Sequence, residues 1–117
     1  MSSRTALITT ALTGALGWIA LALLTGETEA WDNPAYFTVL LPLTAMVVGI
    51  VAYLAPERAW RWAFVPFLAQ AVTMALWNPS ANLGLLPLGL IAYSVFGVLC
   101  LVPALAGAAL ARRRHAA

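Results

Sequence analysis

Four apolar segments, each close to the length that crosses a bilayer, take up almost all of this chain. They cover about 5–25, 34–54, 59–77 and 83–111. A helix needs about 20 mostly apolar residues to cross about 30 Å of hydrocarbon. In lipid the backbone must satisfy its own hydrogen bonds, so such segments are helical. The fold class expected is therefore all-α, an up-down bundle of four transmembrane helices with short loops, with residues 1–117 forming one transmembrane domain. Composition points the same way, since 63% of residues are hydrophobic and only 9% are charged. A soluble domain carries about 25% charged residues, and so few charges cannot cover a water-facing surface.

The breaks between segments are chemically legible. Gly26 suits the left-handed position that closes a first helix. Asp32-Asn33-Pro34 offers a capping side chain and then proline at a first helical position. Ala55-Pro56-Glu57 ends the second helix and opens the third, with Glu57 expected in its first turn. The stretch 77–82 reads as a polar turn. The fourth segment is the longest and contains Pro87 and Pro103, so we expect a tilt, a kink or an end outside the bilayer. The first segment reads as a retained helix and not a cleaved signal. Its apolar run is long for a signal, and Thr28-Glu29-Ala30 is a poor cleavage site.

Orientation follows from the arginines, which are the only basic residues besides His115. Arg4 precedes the first span, Arg58 and Arg61 lie between the second and third, and Arg112, Arg113 and Arg114 follow the fourth. All fall on one side, whereas the other side carries Glu27, Glu29 and Asp32. The positive-inside rule then places both termini and the middle loop in the cytoplasm, in a multi-pass protein of a cell membrane, of the bacterial inner-membrane type. Trp31, Tyr36 and Trp77 would mark the outer interface, and Tyr53, Trp60 and Trp62 the inner one.

Leu40-Leu41-Pro42-Leu43 recurs as Leu85-Leu86-Pro87-Leu88, and Trp31-x-Asn33-Pro34 is echoed by Trp77-Asn78-Pro79. Duplication would make the protein two parallel helical hairpins related by an axis along the membrane normal. Chance recurrence in a leucine-rich chain is the alternative.

Small residues recur at spacings of four and three. The first helix offers Ala6, Thr10, Thr13, Gly17 and Ala20; the second Thr38, Pro42, Ala45, Gly49 and Ala52; the fourth Gly89, Gly97, Cys100, Ala104 and Gly107. Such stripes let helix backbones approach where lipid supplies no hydrophobic drive. They serve packing within one chain, an oligomer face or a pore. Gln70 is the one strongly polar side chain deep in a span, on the same helix face as Thr73. An amide will not readily face lipid tails. We expect Gln70 to meet Thr13, Thr44 or Ser94 across the bundle as structural glue, or else to mark a pathway. No acidic residue, lysine or histidine lies within the four spans, which disfavours proton coupling through a buried carboxylate.

Glu27, Glu29 and Asp32 match no calcium-loop spacing and read as a solvated turn, so no metal site is expected. Arg58, Trp60, Arg61 and Trp62 read as an inner-interface anchor, with Glu57 and Arg61 spaced for an i,i+4 pair. Arg112, Arg113 and Arg114 read as a topology signal and an anionic-lipid contact. The lone Cys100 reads as a packing residue. With one histidine and one cysteine there is no ligand cluster, nucleophile triad or phosphate loop, so neither an enzyme nor a cofactor is expected. A net charge of +2 close to membrane ends argues against nucleic acid.

In size and helix number the chain resembles the small multidrug-resistance transporters and the fluoride channels. It lacks the membrane-embedded glutamate in the first helix that the former require, and its one-sided arginines depart from dual topology. Asn33-Pro34-Ala35-Tyr36-Phe37, the run from Ala55 to Trp62, the intramembrane Gln70 and the Leu-Leu-Pro-Leu string together resemble a group of uncharacterised small bacterial four-helix integral membrane proteins. That resemblance covers most of the chain and implies the fold without an activity. The function expected is non-enzymatic: a structural or accessory membrane protein acting through its small-residue helix faces, in a homo-oligomer or with a membrane-protein partner. The alternative is a small channel or transporter with a pathway past Gln70.

Overall fold

The computed structural model describes residues 1–25, 34, 36–77, 84 and 86–116. These form α1 (Ser3–Thr25), a π-helical turn (Tyr36–Leu40) that runs directly into α2 (Leu41–Leu54), α3 (Trp60–Trp77) and α4 (Leu86–Ala116). Among the described residues the fold is all-helical, with no strand. Three stretches are long and apolar enough to cross a membrane: Ser3–Leu24, Tyr36–Leu54 and Leu86–Arg114. α3 is shorter and carries Arg61, Gln70 and three tryptophans. α1 packs on α3, α3 on α4 and α4 on α2, so this least apolar helix has protein on two sides.

Local chemistry sets the boundaries. The Ser2 hydroxyl accepts from the Thr5 amide at 3.1 Å, capping α1. Pro42 has no N–H for the helical ladder, and its ring crowds the carbonyl four residues back. The chain answers with the wider π turn just before it. Leu41-Pro42-Leu43 opens α2 and Leu86-Pro87-Leu88 opens α4, so the echoed string takes the same helical position twice. α4 runs to Ala116, beyond the expected 111, with Pro103 inside a continuous helix.

The α2–α3 turn corrects two expectations. Glu57 does not enter the first turn of α3, which begins at Trp60. Arg58 adopts φ 49°, a left-handed backbone that interrupts the helix before it can start at Pro56. Arg61 does not pair with the Glu57 carboxylate either. Its guanidinium donates to the Glu57 carbonyl at 3.1 Å and to the Arg58 carbonyl at 3.2 Å, which also accepts the Arg61 amide at 3.1 Å. The expected features at Gly26, Asp32-Asn33, the acidic cluster 27–32, Trp31 and the turn 78–82 lie outside the described residues.

Core and surface are inverted relative to a soluble helix. α1 buries Ala6, Thr10, Gly14, Trp18 and Ala22, one residue in every four, and exposes Leu7, Ile8, Leu12, Leu16 and Leu23. α4 buries Gly97, Cys100, Ala104, Gly107 and Ala108 and exposes Val98, Leu99, Val102 and Leu105. A water-facing helix puts its aliphatic stripe inward; here large aliphatics face out and small residues face in, the pattern that suits lipid. The row buried in α1 therefore continues from Thr10 through Gly14, not through Thr13 and Gly17, which are half-buried, or Ala20, which is exposed.

Two backbone contacts fix the spacing. A β-carbon on Gly14 would collide with the Pro66 carbonyl of α3, and one on Gly107 would collide with the Gly49 carbonyl of α2. At the same end as the α2–α3 turn, Arg114 donates to the Tyr53 hydroxyl at 2.7 Å and the Met1 amino group to the Leu54 carbonyl at 3.1 Å. The starts of α1 and α3 and the ends of α2 and α4 thus share one end, and every arginine lies there.

Candidate functional site

Polar side chains inside an apolar bundle must find partners, and most here find them on their own helix. Thr10 donates to the Ala6 carbonyl at 2.8 Å, Thr13 to Thr9 at 2.7 Å, Thr44 to Leu40 at 2.8 Å, Thr73 to Ala69 at 2.7 Å and Ser94 to Leu90 at 2.6 Å. Such back-bonding satisfies a hydroxyl without a second helix. The structure therefore does not bring Thr13, Thr44 or Ser94 to Gln70 as hydrogen-bond partners; Ser94 lies on an exposed face of α4.

Gln70 meets a tyrosine instead. It is fully buried, and the Tyr36 hydroxyl donates to its Oε1 at 2.6 Å. Tyr36 is the first residue of the π turn and is itself fully buried, so it does not mark the outer interface. The turn that accommodates Pro42 is thus the element that delivers the phenol to the middle of α3. A second bond crosses the other diagonal of the bundle, where the Trp18 Nε1 donates to the Tyr93 hydroxyl at 3.0 Å. These two bonds link α2 to α3 and α1 to α4, the pairs whose backbones pack less closely.

Phe96 sits between the two pairs. Its ring lies 5.3 Å from Tyr36, 6.0 Å from Phe67 and 6.1 Å from Tyr93, within the range of favourable aromatic contacts. Among the described residues the Gln70 Nε2 has no hydrogen-bond partner. A buried, unpaired donor costs about 1–3 kcal/mol, so Gln70 is the side chain that packing alone does not explain. Sequence reasoning found Gln70 and missed Tyr36, Trp18 and Tyr93. The available signal was a tryptophan and a tyrosine in mid-span, where an N–H or O–H needs an acceptor.

The interface candidates separate. Trp60 is 54% exposed, as an interfacial residue should be, whereas Trp62 is 1% exposed and its Nε1 donates to the Ala55 carbonyl at 2.9 Å. Trp62 is a structural clasp on the end of α2, where a carbonyl has lost its helical donor. Arg61 stacks over its ring at 4.5 Å. Arg58, Arg112, Arg113 and Arg114 are exposed.

Chemically, an amide, two phenols and an indole can bind and orient, but they offer no acid–base pair near neutral pH. Among the described residues, no three of His, Cys, Asp and Glu stand together to hold a metal. Several grooves open on the outside of the bundle, and two of them border the residues described above. One lies between α3 and α4 along Phe67, Tyr93 and Ser94, with about 190 Å³. The other lies between α2 and α4 over Gly49 and Gly107, with about 440 Å³. Neither reaches Gln70. No protein family, curated protein or solved structure matches this chain.

Proposed function

We propose that this chain is a non-enzymatic, multi-pass protein of a cell membrane, of the bacterial inner-membrane type, acting as a structural or accessory component in a homo-oligomer or beside a membrane-protein partner. In this reading all four helices cross in an up-down order with both termini cytoplasmic. α3 counts as a crossing because its 18 residues reach ~27 Å, it packs between α1 and α4, and its mid-span Gln70 is buried. The clustering of every arginine at one end supports the orientation.

The observation that carries the accessory reading is the closed polar core. Gln70 is sealed from the surface, and the threonine hydroxyls along the spans are bonded within their own helices. What remains available to a partner is the aliphatic outer face, because the inward small-residue row of α4 is used within the chain. Mass measurement of the complex extracted in a mild detergent tests this. An assembly larger than one chain is expected; monomers alone, with no co-purified protein, would overturn it.

The unpartnered Gln70 Nε2 favours the second reading, a small channel or transporter past that residue. Vesicles reconstituted with the protein discriminate the two. A solute flux that Gln70→Leu alters establishes transport, and vesicles no leakier than protein-free ones support the accessory role.

A further inference from the structure

The groove between α2 and α4 has a floor of backbone and small side chains, Ala45, Gly49, Ala106 and Gly107, with Met46, Ile50 and Leu110 forming its walls. Its depth comes from the glycine pair, since Gly107 lies against the Gly49 carbonyl and neither residue carries a side chain to fill the space above. Its surface is almost wholly apolar. Tyr53 and Leu54 form one end, and there the Tyr53 hydroxyl holds the Arg114 guanidinium at 2.7 Å. Arg112 and Arg113 are exposed beside it.

Length matters as well as polarity. From Ala45 to Leu54 the α2 side of the groove rises ~14 Å at 1.5 Å per residue. One leaflet contributes half of the roughly 30 Å hydrocarbon core, or about 15 Å. The groove therefore has the depth of one leaflet, an apolar bed along that depth and a fixed cation at its polar end. The cation fixed at the polar end of an apolar bed suits a ligand with an anionic head and an acyl tail.

We infer that this groove is a binding site for one anionic phospholipid, whose acyl chain lies over Gly49 and Gly107 and whose phosphate is held by Arg114. Tyr53 is the positioning residue: its hydroxyl accepts from Arg114 and aims the guanidinium at the groove mouth. Arg112 and Arg113 add attraction toward an anionic surface. The inference rests on the membrane reading above but not on which side of the membrane that end occupies.

Native mass spectrometry of the detergent-solubilised full chain, titrated with phosphatidylglycerol or with phosphatidylcholine of the same chains, tests it. One phosphatidylglycerol should bind at a concentration at least several-fold below that needed for phosphatidylcholine. Arg114→Gln should bring the two lipids to parity. Ala106→Phe fills the groove from an exposed position, clear of the Gly107–Gly49 contact, and should lower retention of both lipids. Leu105→Phe, also exposed, should leave binding unchanged and shows that the extra ring alone is harmless. Equal binding of the two lipids to the unaltered chain overturns the proposal, as does Ala106→Phe leaving the retention of both lipids unchanged. Failure here leaves the mass of the protein assembly, and so the accessory reading, untouched.

Discussion

The Tyr36 hydroxyl reaches the Gln70 Oε1 at 2.6 Å, joining the turn that precedes α2 to the centre of α3. Hydrogen bonds between spans contribute about 0.6 kcal/mol on average and up to about 1.7 kcal/mol. Removing one partner also orphans the other, at about 1–3 kcal/mol. We expect Tyr36→Phe to destabilise the protein by about 1–2 kcal/mol, because it leaves the whole Gln70 amide unpaired. Gln70→Leu should cost less, since it also removes an Nε2 that is already unpaired. The double variant should be more stable than the sum of the singles implies. Denaturant titration in mixed micelles, read as a double-mutant cycle, checks this; additive costs would show that the bond is not formed.

Gly14 and Gly84 offer a matched pair of alanine substitutions. A β-carbon at Gly14 meets the Pro66 backbone, while nothing lies within 4 Å of one at Gly84. A carbonyl cannot rotate away as a side-chain tip can, so α1 and α3 would have to separate. We expect Gly14→Ala to cost about 1–3 kcal/mol, as overpacking does, and Gly84→Ala to be neutral within about 0.5 kcal/mol. Thermal unfolding in one detergent measures both, and equal midpoints would remove the α1–α3 contact from the account.

What was legible in the sequence depended on composition and period. The helical segments, the burial of Gln70 and the grouping of the arginines follow from apolar length, the cost of an exposed amide and the placement of charge. The partner of Gln70 did not follow. An extra residue in a turn rotates what precedes it by about 100° relative to the helix that follows. Tyr36 thus leaves the interface that its place near a helix start implied and turns inward. The α1 row was legible only as far as Thr10. Thr13 and Gly14 are both small, and only the position of the Pro66 carbonyl decides between them. Trp62 resembles Trp60 in sequence, and the free carbonyl of Ala55 separates them.

That last difference is measurable. Trp60 faces outward and Trp62 is buried, so a quencher carried on lipid acyl chains or headgroups should distinguish them. In the reconstituted protein, Trp60→Phe should remove most of the emission lost to brominated lipid from this end of the bundle. Trp62→Phe should leave quenching nearly unchanged but lower stability by about 1 kcal/mol or more, because the Ala55 carbonyl loses its donor and the core loses volume. If both substitutions changed quenching equally, Trp62 would be interfacial after all.

Arg58 carries the remaining prediction, because its left-handed backbone separates two substitutions that are otherwise alike. Both Arg58→Asn and Arg58→Val delete the charge and shorten an exposed side chain. Asparagine tolerates φ near 49°, whereas a β-branched residue is a steric outlier there. Left-handed geometry costs an ordinary residue about 1–2 kcal/mol, so we expect the valine variant to be less stable than the asparagine variant by about 1 kcal/mol. Arg58→Gly should match or exceed the unaltered chain, since glycine carries no such penalty. Thermal unfolding of the three variants in one detergent decides the matter. Valine as stable as asparagine would mean that α2 and α3 are joined without a left-handed residue at 58. The Trp62 clasp on Ala55 would then need another explanation, because it is this reversal that brings the indole back to the end of α2.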